Sequence, residues 1–229
     1  MRRLLALLLA SGTVALANER LPVTHVRFSV SGDRVLVLTS GVKDGSGQGA
    51  ARLDVLSTAG GTTLYRQSRT ADASPGSLRA ALLNAPATAA RLHTWGLWPG
   101  RVHAARFART YAAPYPRWSD AATSGQTERT AVNVWSRPVP VTLDVYALPS
   151  TCAYPEMLGG FVPAGFRLSV NGLVVFQDAA LPAARACAAG YTLERVDVQG
   201  DRALLTVRAY GPGFEGPDAE PVFIAATLR

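Results

Sequence analysis

The chain is poor in the residues that usually announce chemistry. Among 229 residues there are two cysteines, Cys152 and Cys187, three histidines and a single lysine, Lys43. The cysteines are far from C-x-x-C spacing, which excludes a thioredoxin-like redox motif. A zinc site built on them lacks further ligands, since no histidine stands near either in sequence. His25, His93 and His103 fall in no metal or protease motif, and no G-x-S-x-G elbow is present. Charged residues make up only 17% of the chain. The arginines are scattered rather than clustered with stacking aromatics, so nucleic acid is not an expected partner. Beyond the first residues no apolar run approaches the ~20 needed to cross a bilayer as a helix.

What is present begins with an export pattern. Arg2 and Arg3 precede the apolar run Leu4–Ala10, and Ala15-Leu16-Ala17 places small residues three and one before a cut. Residues 1–17 therefore read as a signal peptide cleaved after Ala17. The alternative, an N-terminal membrane anchor, is disfavoured by the short apolar stretch. No cysteine follows the cut, which argues against lipid attachment. Removal of the leader leaves 212 residues, and loss of Arg2 and Arg3 lowers the net charge from +7 to +5. Residues 18–229 are long enough for one domain with a full core, with two halves joined near 111–128 as the alternative. The periplasm, the cell envelope and the extracellular space are oxidising, so Cys152 and Cys187 are expected to pair.

The exported part reads as mainly β. "VRFSV" alternates, Ser31-Gly32-Asp33 turns, and "RVLVLTS" runs back. "ARLDVLS", Ala59-Gly60-Gly61 and "TTLYRQS" complete a four-strand meander. Ser77–Leu97 is rich in alanine and leucine, follows Ser74-Pro75 and is broken by Pro86, which predicts two short helices. Leu78, Leu82, Leu83, Leu92 and Trp95 are their candidate sheet-facing residues. "RVHAARFART" reads as a strand, and residues 111–128 as an exposed connection. "TAVNVWS" and "VTLDVYAL" read as strands around Pro138 and Pro140. A Gly- and Pro-rich loop follows Cys152. Asn171-Gly172 in "FRLSVNGLVVFQ" is a strong hairpin signal of type I′. "YTLERVDVQGDRALLTVRAY" repeats that plan, and "PVFIAATLR" supplies a last strand. The expected architecture is antiparallel hairpins with two short helices, packed as a sandwich or two small sheets.

The stretch "GVKDGSGQG", Gly41–Gly49, poses the sharpest local question. Counted from Asp44, Ser46 and Gln48 occupy positions 3 and 5 of an EF-hand loop and Gly49 position 6, but position 12 is Val55, which cannot ligate calcium. A P-loop is excluded because Lys43 precedes the glycines and a strand follows them. A long hairpin loop whose glycines adopt positive φ is the local reading.

Several stretches together carry a resemblance. "FSVSGDRVLVLTSGVKDGSGQGAARLDVL", "GFRLSV", "RACAAGYTLERVDV" and "GFEGPDAEPVFIAATL" are similar, in this order, to segments of a family of predicted secreted bacterial proteins catalogued as a domain of unknown function, DUF2259. The resemblance spans nearly all of the mature chain. Gln48-Gly49 depart from it, standing where members carry an aromatic and a proline. The opening hairpin also resembles a β-propeller blade, over that hairpin alone. The family resemblance implies export and brings no activity with it. It marks two places, Gly41–Gly49 and Gly213–Asp218, whose Asp44, Ser46, Glu215 and Asp218 are candidate ligand or cation contacts. In the second, the other reading is that Phe214 plugs the core while the glycines and Pro217 set a bend.

No cofactor is implied. The leading expectation is a non-catalytic exported module that binds an envelope protein, a glycan or an anionic surface, with Trp95, Trp98, Trp118 and Trp135 as residues able to stack on sugars. The alternative is a secreted hydrolase using carboxylates or histidines, such as Asp197 with Asp201 or Glu215 with Asp218.

Overall fold

A computed structural model describes residues 19–98 and 104–228. The leader expected over residues 1–17 and His103 lie outside the described residues. The first four strands are β1 (Val23–Phe28), β2 (Arg34–Val42), β3 (Gly49–Ser57) and β4 (Thr63–Ala71), followed by helices α1 (Pro75–Asn84) and α2 (Pro86–Thr94). Two very short strands come next, β5 (Phe107–Ala108) and β6 (Ala122–Thr123). Then follow β7 (Thr127–Val132), β8 (Val139–Ala147), β9 (Ala164–Val170), β10 (Leu173–Gln177), β11 (Gly190–Gln199), β12 (Arg202–Pro212) and β13 (Pro217–Thr227).

All pairings are antiparallel and fall into three sheets. The first is the meander β1-β2-β3-β4, the second runs β10-β9-β8-β7, and a central one runs β13-β12-β11-β5 with β6 also on β11. The layer order follows from the cores. Leu36, Leu38, Leu53 and Val55 of the first sheet pack against Leu78, Leu82 and Leu92 of the helices. The other face of that sheet, with Val26, Phe28, Val35 and Val37, meets Leu204 and Ala225 of the central sheet. The opposite face of the central sheet, with Leu193, Leu205 and Val207, meets Val141, Leu143, Phe166 and Leu168. Helices and three sheets thus stack as four layers, and the central sheet is covered on both faces. A strand covered on both sides buries both sets of side chains, so in "ALLTVRAY" of β12 the alternating Thr206, Arg208 and Tyr210 are buried along with Leu205, Val207 and Ala209.

Local chemistry sets the boundaries. Ser74 caps α1, its hydroxyl accepting from the Ser77 amide at 3.1 Å, and Pro75 and Pro86 open the two helices. Asn171 and Gly172 both have positive φ, 51° and 82°, as a type I′ turn requires. Of "RVHAARFART" only Phe107–Ala108 pairs among the described residues, against Val196 and Arg195. The segment expected as an exposed connection instead contributes β6 to the central sheet and buries Ala113.

The face of β12 that carries Leu204, toward the first sheet, changes character along its length. Leu204 sits in apolar core, but Thr206, Arg208 and Tyr210 follow on the same side, all fully buried. Arg208 is 0% exposed. Its guanidinium grips both oxygens of Glu194, with Nη2 to Oε1 at 2.9 Å. It also donates to the carbonyls of Ala219 at 3.0 Å and Leu21 at 2.7 Å. One side chain therefore ties β11, β12, β13 and the N-terminal segment together.

Candidate functional site

The loop Gly41–Gly49 is held by its own polar atoms. Asp44 Oδ1 accepts from the Gly45 amide at 3.0 Å, and Ser46 Oγ from the Gln48 amide at 3.3 Å. The backbone closes with Lys43 N to Gln48 O at 2.7 Å. Gly45 and Gly47 have φ of 76° and 67°, as the hairpin-loop reading expects. Gly49 is fixed for another reason: a Cβ there would stand 2.0 Å from the Ala73 carbonyl oxygen. That contact leaves no room for a side chain at position 49 in this backbone.

The second marked segment, Gly213–Asp218, forms the turn between β12 and β13. Phe214 does not plug the core; it is 83% exposed. The turn is tight, with Gly213 so near Gly216 that a Cβ would lie 2.6 Å from the Gly216 oxygen. Glu215 is exposed beside it. Asp218 is half-buried and accepts from the Glu19 amide at 2.7 Å.

Glu19 joins the two marked places. Its carboxylate lies 3.5 Å from Lys43 Nζ, while its carbonyl accepts from Ala219. Burial pushes the Glu19 and Asp218 carboxyls above their usual range, and the like charge of Glu220 adds to both, against the opposing pull of Lys43. A cleft of about 500 Å3 beside them is lined by Glu19, Lys43, Asp44 and Tyr115. Of the four sequence candidates only Asp44 lines it; Ser46, Glu215 and Asp218 do not. Among the described residues no group of three or more His, Cys, Asp or Glu is placed to hold a metal ion. Nothing in the sequence signals the role of Glu19, which lies 199 residues from Asp218.

A different surface was invisible to sequence patterning. The loop between β8 and β9 presents Tyr154, Met157, Phe161 and Val162 to solvent, with Tyr154 57% exposed. Leu158, 0% exposed, anchors the segment from below. Phe161 packs on Trp118, ring centroids 5.3 Å apart, and Gly159, at φ 63°, gives Trp118 room. The base of the loop is clamped by the Cys152–Cys187 disulfide. Cys187 lies three residues before β11, and Ala189 N, just ahead of that strand, donates to Tyr210 O of β12 at 2.9 Å. The apolar loop is thereby bolted to the central sheet. Five apolar residues within nine positions, Tyr154, Met157, Leu158, Phe161 and Val162, were its only sequence trace, without helical or strand period.

The tryptophans divide. Trp95 meets Tyr65 edge-on at 6.3 Å and Trp98 lies under Arg27, both on the helix side of the first sheet. Only Trp135 is exposed. His25 turns a buried Nδ1 that has no hydrogen-bond partner.

No helix among the described residues is long and apolar enough to cross a membrane. A family model described as "Predicted secreted protein (DUF2259)" matches residues 37–227. No curated protein and no solved structure matches the chain.

Proposed function

Because the chain belongs to the DUF2259 family of predicted secreted proteins, and is thus an exported protein, we propose that it is a non-catalytic binding module whose docking surface for a partner protein is the loop Tyr154–Val162. The observation that carries this reading is the exposed cluster of Tyr154, Met157, Phe161 and Val162 on a disulfide-clamped base. Exposed apolar clusters on a soluble protein mark interaction sites. Tyrosine, phenylalanine and methionine are enriched in the cores of protein interfaces, where they supply contact area. The clamp holds the loop before binding, so less conformational entropy is lost on association. The composition favours a protein partner over an anionic surface, since the only charge within the loop is Glu156. The carboxylates with raised proton affinity, Glu19 and Asp218, are engaged by Lys43 and by backbone, which supports binding rather than hydrolysis at that end.

A photo-reactive amino acid at position 157, compared with one at Gln67 on the exposed strand β4, tests this in intact cells. A discrete cross-linked species from position 157 alone is expected. The same adducts from both positions, or none from 157, would refute the loop as the docking surface.

A further inference from the structure

β13 is the end strand of the central sheet and pairs with β12 alone. Residues along an antiparallel strand turn their N–H and C=O groups to one side and the other in alternation. Two contacts fix which set of β13 faces out. The Tyr210 carbonyl accepts from Ala189, on the β11 side, so Tyr210 turns away from β13 and Ala209 toward it. Glu220, opposite Ala209, is therefore bonded to β12, while Ala219 donates outward to Glu19 O at 2.8 Å. The outward set continues with Pro221, Phe223 and Ala225. Pro221 has no N–H and blunts the edge at its own position. Phe223 and Ala225 each offer a donor and an acceptor with no backbone partner among the described residues. Gly61 leaves the Ala225 oxygen approachable, since a Cβ there would crowd it at 3.2 Å.

Two clefts of about 370 Å3 each follow one another along this edge, and Phe223 lines both. One wall is the first sheet, with Thr63 and Arg66 of β4 at one end and the turn Ala59–Gly61 at the other. The opposite wall is β10 of the second sheet, continued by Pro182 and Arg185. Facing sheets stand ~10 Å apart, so a strand added to β13 stays in the central layer between these walls. The walls admit one extended segment and keep out the edge of a second whole sheet. They also set its side chains, which alternate between the two walls. Leu173 and Val174 on the β10 side are 47% and 49% exposed and call for apolar partners. On the first-sheet side Arg52 and Arg66 share the single carboxylate of Asp54, each Nε at 2.6 Å. Two guanidiniums on one carboxylate leave this wall a positive charge in excess, and Arg66 is more than half exposed. Arg185, by contrast, has Asp178 as its own partner. Glu220 lies on the face of β13 that carries Val222 and Ile224, which pack toward the second sheet, so it is on the other side of the strand.

We propose that the free edge of β13 is a strand-addition site for an extended segment of another protein, which bonds the backbone of Phe223 and Ala225. The segment turns an acidic side chain to Arg52 and Arg66 and apolar side chains to β10. Backbone bonds supply affinity in this mode, and alternate side chains supply choice. The groove shares no residue with the loop Tyr154–Val162 and does not depend on it.

Fluorescence anisotropy of blocked, labelled peptides on the mature, oxidised protein tests this. The probes alternate valine and threonine and replace one threonine by glutamate, near the amino end in one peptide and near the carboxyl end in the other, which covers both strand directions. Saturable binding of at least one is expected, roughly fivefold or more tighter than its lysine counterpart. N-methylation of alternate residues, made as both possible sets, should weaken binding by about tenfold or more for the set that faces β13. Arg66→Gln should shrink the preference for glutamate over lysine at least ~2-fold, because it removes the excess charge. Val174→Lys should weaken the glutamate peptide by roughly fivefold or more, because it puts a charge in the apolar wall. Unchanged melting profiles show that both variants are folded. No saturable binding, equal binding of both N-methylated sets and the parent, or unchanged affinities and preference in both folded variants would each overturn the proposal. A dimer of the protein alone that Val174→Lys dissolves would also overturn it, by assigning the edge to a second copy.

Discussion

Arg208 gives the most demanding test of how the layers are held. Its guanidinium is fully buried and satisfies Glu194 together with the carbonyls of Ala219 and Leu21. Arg208→Met keeps the volume of the stem and removes every one of these donors. Glu194 is then left uncompensated between two sheets, and two carbonyls lose a partner. Breaking a buried ion pair in this way costs about 3–5 kcal/mol. For a chain of this length, each kcal/mol lowers the melting temperature by roughly 2–4 °C, giving a fall of about 6–20 °C. Glu194→Leu alone strands the guanidinium and should cost a similar amount. The double variant Arg208→Met/Glu194→Leu removes both charges. It should be clearly more stable than the sum of the single losses predicts, because the desolvated charge that makes each single variant costly is gone. Urea denaturation of the four oxidised proteins measures the cycle. Single losses below ~1 kcal/mol, the range of exposed pairs, would refute the assignment of Arg208 as a buried tie.

Three further perturbations follow from the same geometry. Cys152→Ser with Cys187→Ser releases a cross-link over 35 residues and should cost about 3–4 kcal/mol in the chain-entropy account; chemical denaturation checks it, and loss of less than ~1 kcal/mol would contradict the clamp. Gly49→Ala forces a Cβ to within 2.0 Å of the Ala73 oxygen; backbone must shift, and a loss of about 1–3 kcal/mol or more is expected, read as a lowered melting temperature. His25 is held below the usual imidazole value of 6.5 by burial first and by Arg79, Arg27 and Arg195 second. The folded state therefore binds fewer protons than the unfolded one, and this contribution to stability is present above pH ~6.5 and lost as pH falls below it. His25→Gln should flatten that part of the stability profile; an identical slope in the variant would show that His25 is not its source.

The sequence was legible where structure is decided locally. The meander β1–β4 follows from alternation and from turns at Gly32 and Gly61, both with positive φ. The two helices follow from Ser74 and the prolines, and the β9–β10 hairpin from Asn171-Gly172. Where long-range packing decides, the pattern failed. β12 offers both faces to other sheets, so inward Arg208 and Tyr210 cannot be told from outward ones by alternation. Phe214 is apolar yet exposed, on the turn between β12 and β13. The candidate residues scattered for a similar reason. Asp44 and Ser46 close their own loop, Glu215 stays in solvent, and Asp218 bonds the Glu19 amide. The exposed loop Tyr154–Val162 has a composition that also fits a core segment, and only the fold reveals which way it faces.

The docking assignment is tested most directly by asking whether the loop's apolar residues control partner recovery. Met157→Asp with Phe161→Asp replaces two exposed side chains while leaving Leu158 and the disulfide in place. The species cross-linked through position 154 should then be quantified against the unsubstituted loop. At two interface anchors of at least ~1 kcal/mol each, recovery should fall more than tenfold in a protein of unchanged melting temperature. Equal recovery from that folded variant would contradict the account.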